Sequence, residues 1–171
     1  MKLRTLSALT SFLAMSLFAS AQPLTVGANA PVVAGVTETG AKIALADVYA
    51  QQTYTLVYFY PKADTPGCTA QGCSLRDAFA DLSAKGVTVI GVSTDKPEAQ
   101  KAFKEKYNLP FTLIADHDKQ VVEAFGVPTT MGFAKRQAFL IKGGKIVWAD
   151  YSAATKQQAD DVLKVIAAQQ G

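Results

Sequence analysis

Leu56-Val57-Tyr58-Phe59-Tyr60 is an unbroken apolar run rich in aromatic residues, and Val87-Thr88-Val89-Ile90-Gly91-Val92 is a second run of similar character. Short runs of this kind, apolar on both faces, predict strands buried in the middle of a sheet. Between them the pattern changes period. Leu75, Ala78, Phe79 and Leu82 recur at i, i+3, i+4 and i+7, which predicts one helix through 75–82 that stops near Lys85-Gly86. After the second run, Asp95 and Glu98 with Pro97 between them resemble a capped helix start, and Ala99, Ala102, Phe103 and Tyr107 give its inner face.

Further on, 111–115 predicts a strand and 119–125 a short helix closed by Gly126. Apolar 138–141 and 146–148, with Gly143-Gly144 between them, predict a β-hairpin. Thr155 and Gln158 have capping-box spacing and would open a last helix with Val162, Leu163, Val165 and Ile166 inward. Ahead of all this, 30–33 and 43–45 are short extended candidates around a turn at Glu38-Thr39-Gly40. Strands alternating with helices, closed by a hairpin and a helix, describe an α/β fold with a mixed central sheet. The β-α-β-α-β-β-α order, with a cysteine at its first strand-to-helix junction, suggests the thioredoxin arrangement. No linker interrupts 22–171, so one domain is expected there.

The first residues follow another logic. Lys2 and Arg4 precede a mostly apolar stretch through Phe18, and Ala19-Ser20-Ala21 supplies a small-x-small cleavage pattern. Residues 1–21 therefore read as a secretory signal peptide; a membrane anchor would want about 20 apolar residues. The expected mature chain is exported, to a bacterial periplasm, and has no further membrane span. Two of the 17 basic residues lie in this leader, leaving 15 against 14 acidic ones, so the net charge falls from +3 to +1. A surface so nearly neutral offers no basic footprint for nucleic acid.

Export changes the meaning of the two cysteines, Cys68 and Cys73. Outside the cytosol the plain reading is a structural disulfide. A bridge closing so short a loop would stabilise a chain of 171 residues by only about 2 kcal/mol, and a domain this size can bury a core without it. The chemical reading is sharper. Cys68 falls at the first turn of a predicted helix, where unpaired backbone N–H groups and the macrodipole favour thiolate over thiol. Positions five apart in an intact helix have Cα atoms roughly 8–9 Å apart, whereas a disulfide needs about 4.4–6.8 Å. Joining the two sulfurs must melt the first turns of the helix. Gly67 and Gly72 weaken that segment, each by about 1 kcal/mol relative to alanine. A C-x-x-C pair would meet without unfolding. C-x4-C fits one cysteine that attacks a substrate and a second that resolves the product.

Pro61-x-x-x-Thr65-x-x-Cys68 resembles the active-site motif of the peroxiredoxins, and YPKADTPGCTAQGCSLRD is similar to their bacterioferritin-comigratory, or Q-type, subfamily. Ala30-Pro31, Gly91-Val92-Ser93-Thr94-Asp95-Lys96-Pro97 and Phe139-Leu140-Ile141 extend the likeness over almost the whole mature chain. The resemblance implies a thioredoxin-like fold, a peroxidatic Cys68 and a resolving Cys73 that forms a disulfide with it. It implies that Thr65 hydrogen-bonds thiolate and peroxide through its hydroxyl and that Pro61 shields the sulfur from water. Arg136 would stabilise the thiolate and polarise the O–O bond, and the backbone N–H groups of Gly67 and Cys68 would add donors. Gln71 stands where relatives often carry glutamate and receives no catalytic role. Residues 127–133 depart from the family's longer loop, which bears on substrate breadth and oligomer contacts.

The expected partners are hydrogen peroxide and small hydroperoxides, with a thioredoxin-like or other dithiol reductant; a monomer is expected. Blander readings stand beside these: Thr65 as a helix cap alone, Pro61 as a strand terminator, Arg136 as a surface charge. His117, flanked by Asp116 and Asp118, reads as an exposed turn. No nucleotide, flavin, haem or zinc pattern is present, so no cofactor is expected. The alternative function is a thioredoxin-type oxidoreductase acting on protein thiols. A third is a non-enzymatic redox-sensing module with a structural bridge.

Overall fold

The computed structural model describes residues 23–170, so the proposed leader at 1–21 lies outside the described residues. The two apolar runs form neighbouring central strands, β3 (Tyr54–Phe59) and β4 (Val87–Ser93), paired in parallel. β5 (Thr112–Ala115) continues parallel beyond β4. On the other side of β3, β8 (Gln137–Lys142) and then β9 (Lys145–Asp150) add antiparallel, so the five-stranded sheet is mixed, in the order β5-β4-β3-β8-β9. Every residue of β3 is buried because helices cover both of its faces.

Alternation along the strands splits the core in two. Tyr54, Leu56 and Tyr58 of β3 face α2 (Pro66–Asp77), α3 (Phe79–Ala84), α4 (Pro97–Tyr107) and α6 (Gln158–Gln170), meeting Leu75, Leu82, Phe103, Val162 and Ile166. Val57 and Phe59 face α1 (Leu45–Gln51) and α5 (Gln120–Ala124), meeting Leu45, Tyr49, Val121 and Val122. On that second face Phe59, Phe125 and Phe139 pack at centroid distances of 5.2–6.0 Å. This range is the one in which offset and edge-on aromatic pairs attract beyond their area burial.

A separate hairpin of β1 (Ala34–Val36) and β2 (Lys42–Ala44) covers the outer edge of β5. Thr37 bridges Ile114, and the Glu38 N–H donates to the Leu113 carbonyl at 2.9 Å. The Glu38 carboxylate accepts from the Leu113 N–H at 3.0 Å and pairs with Lys104 Nζ at 2.5 Å. Burial pushes this carboxyl up, but the Lys104 ammonium and the Leu113 N–H together outweigh it and hold it below the ordinary carboxylate range. A depressed folded value contributes stability above the unfolded pKa of 4.5, and that stability is lost as pH falls through the folded value. Glu38→Gln should therefore cost about 1–3 kcal/mol at neutral pH. In chemical unfolding measured against pH, the gap to the wild-type chain should close below pH 4.5. A gap that persists undiminished into acid would detach this ion pair from acid stability.

Several expectations shift. The extended segment expected at 30–33 lies just before β1, because the hairpin register pairs Ala34 with Ala44. Leu45 opens α1 rather than ending a strand; the short, part-exposed helix is visible only once its Leu45 and Tyr49 find the second core. The single helix expected through 75–82 is two, broken at Ala78 (φ −93°, ψ 9°). Asp95 does not cap α4, whose N-cap is Lys96 without a side-chain bond. The capping box at Thr155 is also not formed: α6 begins at Gln158, which turns inward and is 1% exposed. Residues 127–134 hold an unforeseen two-residue ladder, β6 (Thr129–Thr130) with β7 (Phe133–Ala134). Its turn, Met131-Gly132, has φ of 50° and 87°, which the glycine accepts freely and the exposed methionine less so.

Candidate active site

β3 ends at Phe59, and the chain then leaves the sheet through Pro61 and turns into α2. Thr65 is the N-cap and Pro66 opens the helix, its fixed φ suiting the first helical position. Gly67 and Cys68 follow in the first turn, where backbone N–H groups have no partner within the helix. No side chain caps this end, so those donors are unclaimed by any side chain. The Thr65 hydroxyl donates instead to the Lys62 carbonyl at 2.9 Å. While that bond holds, its one proton points away from the sulfur and the oxygen's lone pairs are its free chemistry. The bond expected from Thr65 to the thiolate is not formed.

Two supports hold the loop before the helix. Asp95, at the end of β4, accepts from the Ala63 N–H and from the Ser93 hydroxyl, both at 2.7 Å. Behind Ser93, buried Gln100 donates to its hydroxyl at 2.8 Å and accepts from the Tyr60 hydroxyl. Asp64, held at φ 58°, accepts from Lys106 Nζ at 2.8 Å and from the Tyr107 hydroxyl at 2.6 Å. These bonds set Asp64 below the ordinary carboxylate range, the Lys106 contact first. Asp95 thus tethers the loop to β4, and Asp64 tethers it to the end of α4.

Arg136 arrives from the opposite direction. In the antiparallel register of β3 and β8 Phe59 faces Gln137, so Arg136, one residue before β8, stands beside the exit of β3. Its Nη2 donates to Cys68 Sγ at 3.3 Å, and its Nη1 donates to Gln71 Oε1. The guanidinium lies over Gly67, where an added Cβ would come within 3.3 Å of Nη2. Cys68 is 2% exposed, so this contact forms in a nearly water-free setting that strengthens it. Tyr58 is fully buried beneath; burial first, and the neighbouring Cys68 second, push its phenol far up, so it stays neutral.

Both cysteines are free, and one uninterrupted α2 carries them. Cys73 is half-buried and borders an open groove with Ala70, Ser74, Asp77 and Lys156. Arg76, one turn further, is anchored by Asp77 at 2.8 Å and by the Tyr107 carbonyl at 2.9 Å. The structure thus brings Gly67, Cys68 and Arg136 into contact, with Thr65 at the N-cap of the same helix, Pro61 in the loop before it and Cys73 further along it, bordering a groove. It adds Gln71, which sequence reasoning set aside, and Asp95, which that reasoning assigned to a helix cap. For the first, the signal in the chain is an amide one turn after Cys68, a spacing that puts both on one face of a helix. His117 is exposed, its Nδ1 3.4 Å from the Thr94 carbonyl. Among the described residues no cluster of histidine, cysteine, aspartate and glutamate could hold a metal ion.

A buried sulfur at a helix start, faced by a fixed guanidinium and followed by a second thiol on the same helix, is an arrangement suited to cysteine redox chemistry in a thioredoxin-like fold. Residues 26–149 match the AhpC/TSA family, and the chain belongs to it. Peroxiredoxin Bcp of Escherichia coli (strain K12) is 50% identical over 105 residues, which is 61% of this chain and 66% of the length of that relative. A relative from Mycobacterium tuberculosis (strain H37Rv) is 36% identical over 137 residues, covering 75% of this chain and 86% of its own. Among solved structures, peroxidoxin BcpB of M. tuberculosis superposes with a TM-score of 0.78 at 27% identity, covering 84% of this chain and 96% of that one. A PrxQ variant of Xylella fastidiosa gives 0.79 at 25% identity over 86% and 98%. The mixed sheet flanked by helices is thus the thioredoxin-type fold of these peroxiredoxins.

Proposed function

We propose that this chain is a thiol-dependent peroxidase that reduces hydrogen peroxide and small organic hydroperoxides. The observation that carries this reading is the Arg136 Nη2 contact to Cys68 Sγ at 3.3 Å on the first turn of α2. The Cys68 thiolate attacks one peroxide oxygen; the S–O bond forms as O–O breaks, and the departing oxide leaves as water or alcohol after taking a proton. Negative charge moves from sulfur to the leaving oxygen, along a path that Arg136 and the N–H groups of Gly67 and Cys68 border. Thr65, with only lone pairs to offer, accepts the peroxide O–H and orients it. Pro61, half-buried beside the sulfur's loop, limits water entry.

Cys73 then attacks the Cys68 sulfenic acid, expelling water and leaving a Cys68–Cys73 disulfide. A dithiol reductant, thioredoxin-like or another, returns both to thiols. Two thiols five positions apart on one intact helix favour this cycle over a thioredoxin-type oxidoreductase, whose C-x-x-C sulfurs meet without unwinding. Closure needs the first turns of α2 to open. A Cβ on Gly72 would make ordinary contacts, 3.5 Å from Leu109 and 3.6 Å from Phe103, so packing leaves room for alanine there. Gly72→Ala should stiffen α2 by about 1 kcal/mol and slow closure of the disulfide about fivefold in stopped-flow. Unchanged closure would mean that opening α2 does not limit resolution.

The residues from Lys2 to Ala21 support reading the protein as exported, to a periplasm, with a single domain at 22–171. The near-neutral mature charge supports a protein that binds no nucleic acid, and no described helix is long and apolar enough to cross a membrane. We take the working form to be a monomer. The test of the central reading is stopped-flow reaction of hydrogen peroxide with the reduced protein, then mass mapping of the product. Rapid consumption that ends in a Cys68–Cys73 bridge is expected; an inert Cys68 would refute it.

A further inference from the structure

Arg136 touches Cys68 with one nitrogen and Gln71 with another, and Gln71 is itself held from behind. Gln71 Nε2 donates to Gln158 Oε1 at 2.5 Å, and Gln158 Nε2 has no partner. Gln71 is 0% and Gln158 1% exposed. The orientation of both amides follows from chemistry alone. A guanidinium has only donors, so Gln71 must turn its carbonyl oxygen to Arg136 and its NH2 away. That NH2 needs an acceptor, so Gln158 turns its oxygen inward, and its own NH2 is left over. From this we infer that Gln158, at the start of α6, is a positioning residue for the thiol chemistry: it fixes Gln71, and through Gln71 the guanidinium at Cys68.

A plain staple between α2 and α6 would be better made from apolar side chains, since one buried unpartnered NH2 costs about 1–3 kcal/mol. The arrangement is intelligible if the acceptor oxygen is what matters. Without Gln158 the Gln71 amide can rotate or leave, and the guanidinium loses one of the two contacts that define its plane. Because Gln71 lies between the cysteines, unwinding α2 to join them also withdraws this orienting partner. The inference rests on the peroxidase reading for its purpose but not for its test.

The test uses the Cys73→Ser background, so that Cys68 alone reports, and follows the ultraviolet thiolate absorbance with pH. Gln158→Met keeps the volume and removes the acceptor. The titration midpoint is expected to move up by about 0.5–1 unit, the equivalent of one ordinary hydrogen bond. Gln158→Glu keeps an acceptor oxygen and replaces only the unpartnered NH2; burial favours its neutral form. Its midpoint is expected to stay with that of the parent. A Met variant that titrates with the parent, or a Glu variant displaced as far as Met, overturns the inference. If the Met variant does not fold, Gln158→Leu takes its place. Peroxide kinetics on the same proteins distinguish the two readings: a parent inert to peroxide sinks the function, while the titrations still decide the role of Gln158.

Discussion

Cys68→Ser is expected to lose peroxide consumption by more than about 10⁴-fold, because serine stays protonated and its oxygen is a poor nucleophile toward another oxygen. The fold should survive, since the hydroxyl is smaller than the thiol and Arg136 retains Gln71 as a partner. Cys73→Ser should behave differently. The first turnover should proceed at the wild-type rate, since Cys73 is one and a half helical turns from the reacting sulfur. Later turnovers should stall at the sulfenic acid unless a small thiol resolves it, and excess oxidant should drive Cys68 to the sulfinic acid. Steady-state assays with dithiothreitol, alongside trapping of the sulfenic acid, separate these cases. Equal first-turnover rates in wild type and Cys68→Ser would end the assignment of Cys68 as nucleophile.

Arg136→Ala is expected to slow the second-order reaction with peroxide by about 10²–10³-fold, the size found when a positioned donor to a developing oxyanion is removed. Two effects combine. The thiolate loses its charged donor at 3.3 Å in a nearly dry site, and an oxygen leaving from that sulfur loses the guanidinium beside it. They separate by pH: the first moves the rate–pH profile alkaline, and the second lowers its plateau. Arg136→Lys should recover little, because an ammonium cannot reach sulfur and Gln71 Oε1 together in the fixed geometry of a fork. An Ala variant with a wild-type profile and plateau would return Arg136 to the surface charges.

The two predictions depend on different kinds of information. Cys68 is apparent from the chain because its surroundings are local: an apolar strand, a proline, a threonine and a helix start lie within a few residues. Arg136 stands far along the chain beside Lys135, and only the pairing of β8 with β3 brings it to the sulfur. The contacts of Gln71 and Gln158 depend on the fold in the same way. Capping-box spacing made the Gln158 side chain look like a partner for the backbone at Thr155, yet it pairs with Gln71 of α2 instead. Asp95 likewise serves Ala63 rather than the helix that follows it. The break at Ala78 and the ladder at Thr129–Thr130 are set by packing, to which periodicity is blind.

Local pattern suffices for the buried strands, the helix-start cysteine with its second thiol, and the α/β class. Each of these depends on neighbours within about a dozen positions, where apolar period and turn chemistry act directly. Contacts across the fold supply the rest: what holds Gln71, and how the Arg136 guanidinium that the family motif points to comes within 3.3 Å of the sulfur. Those are contacts between residues far apart in the chain, fixed by strand register and by the need of each buried polar atom for a partner.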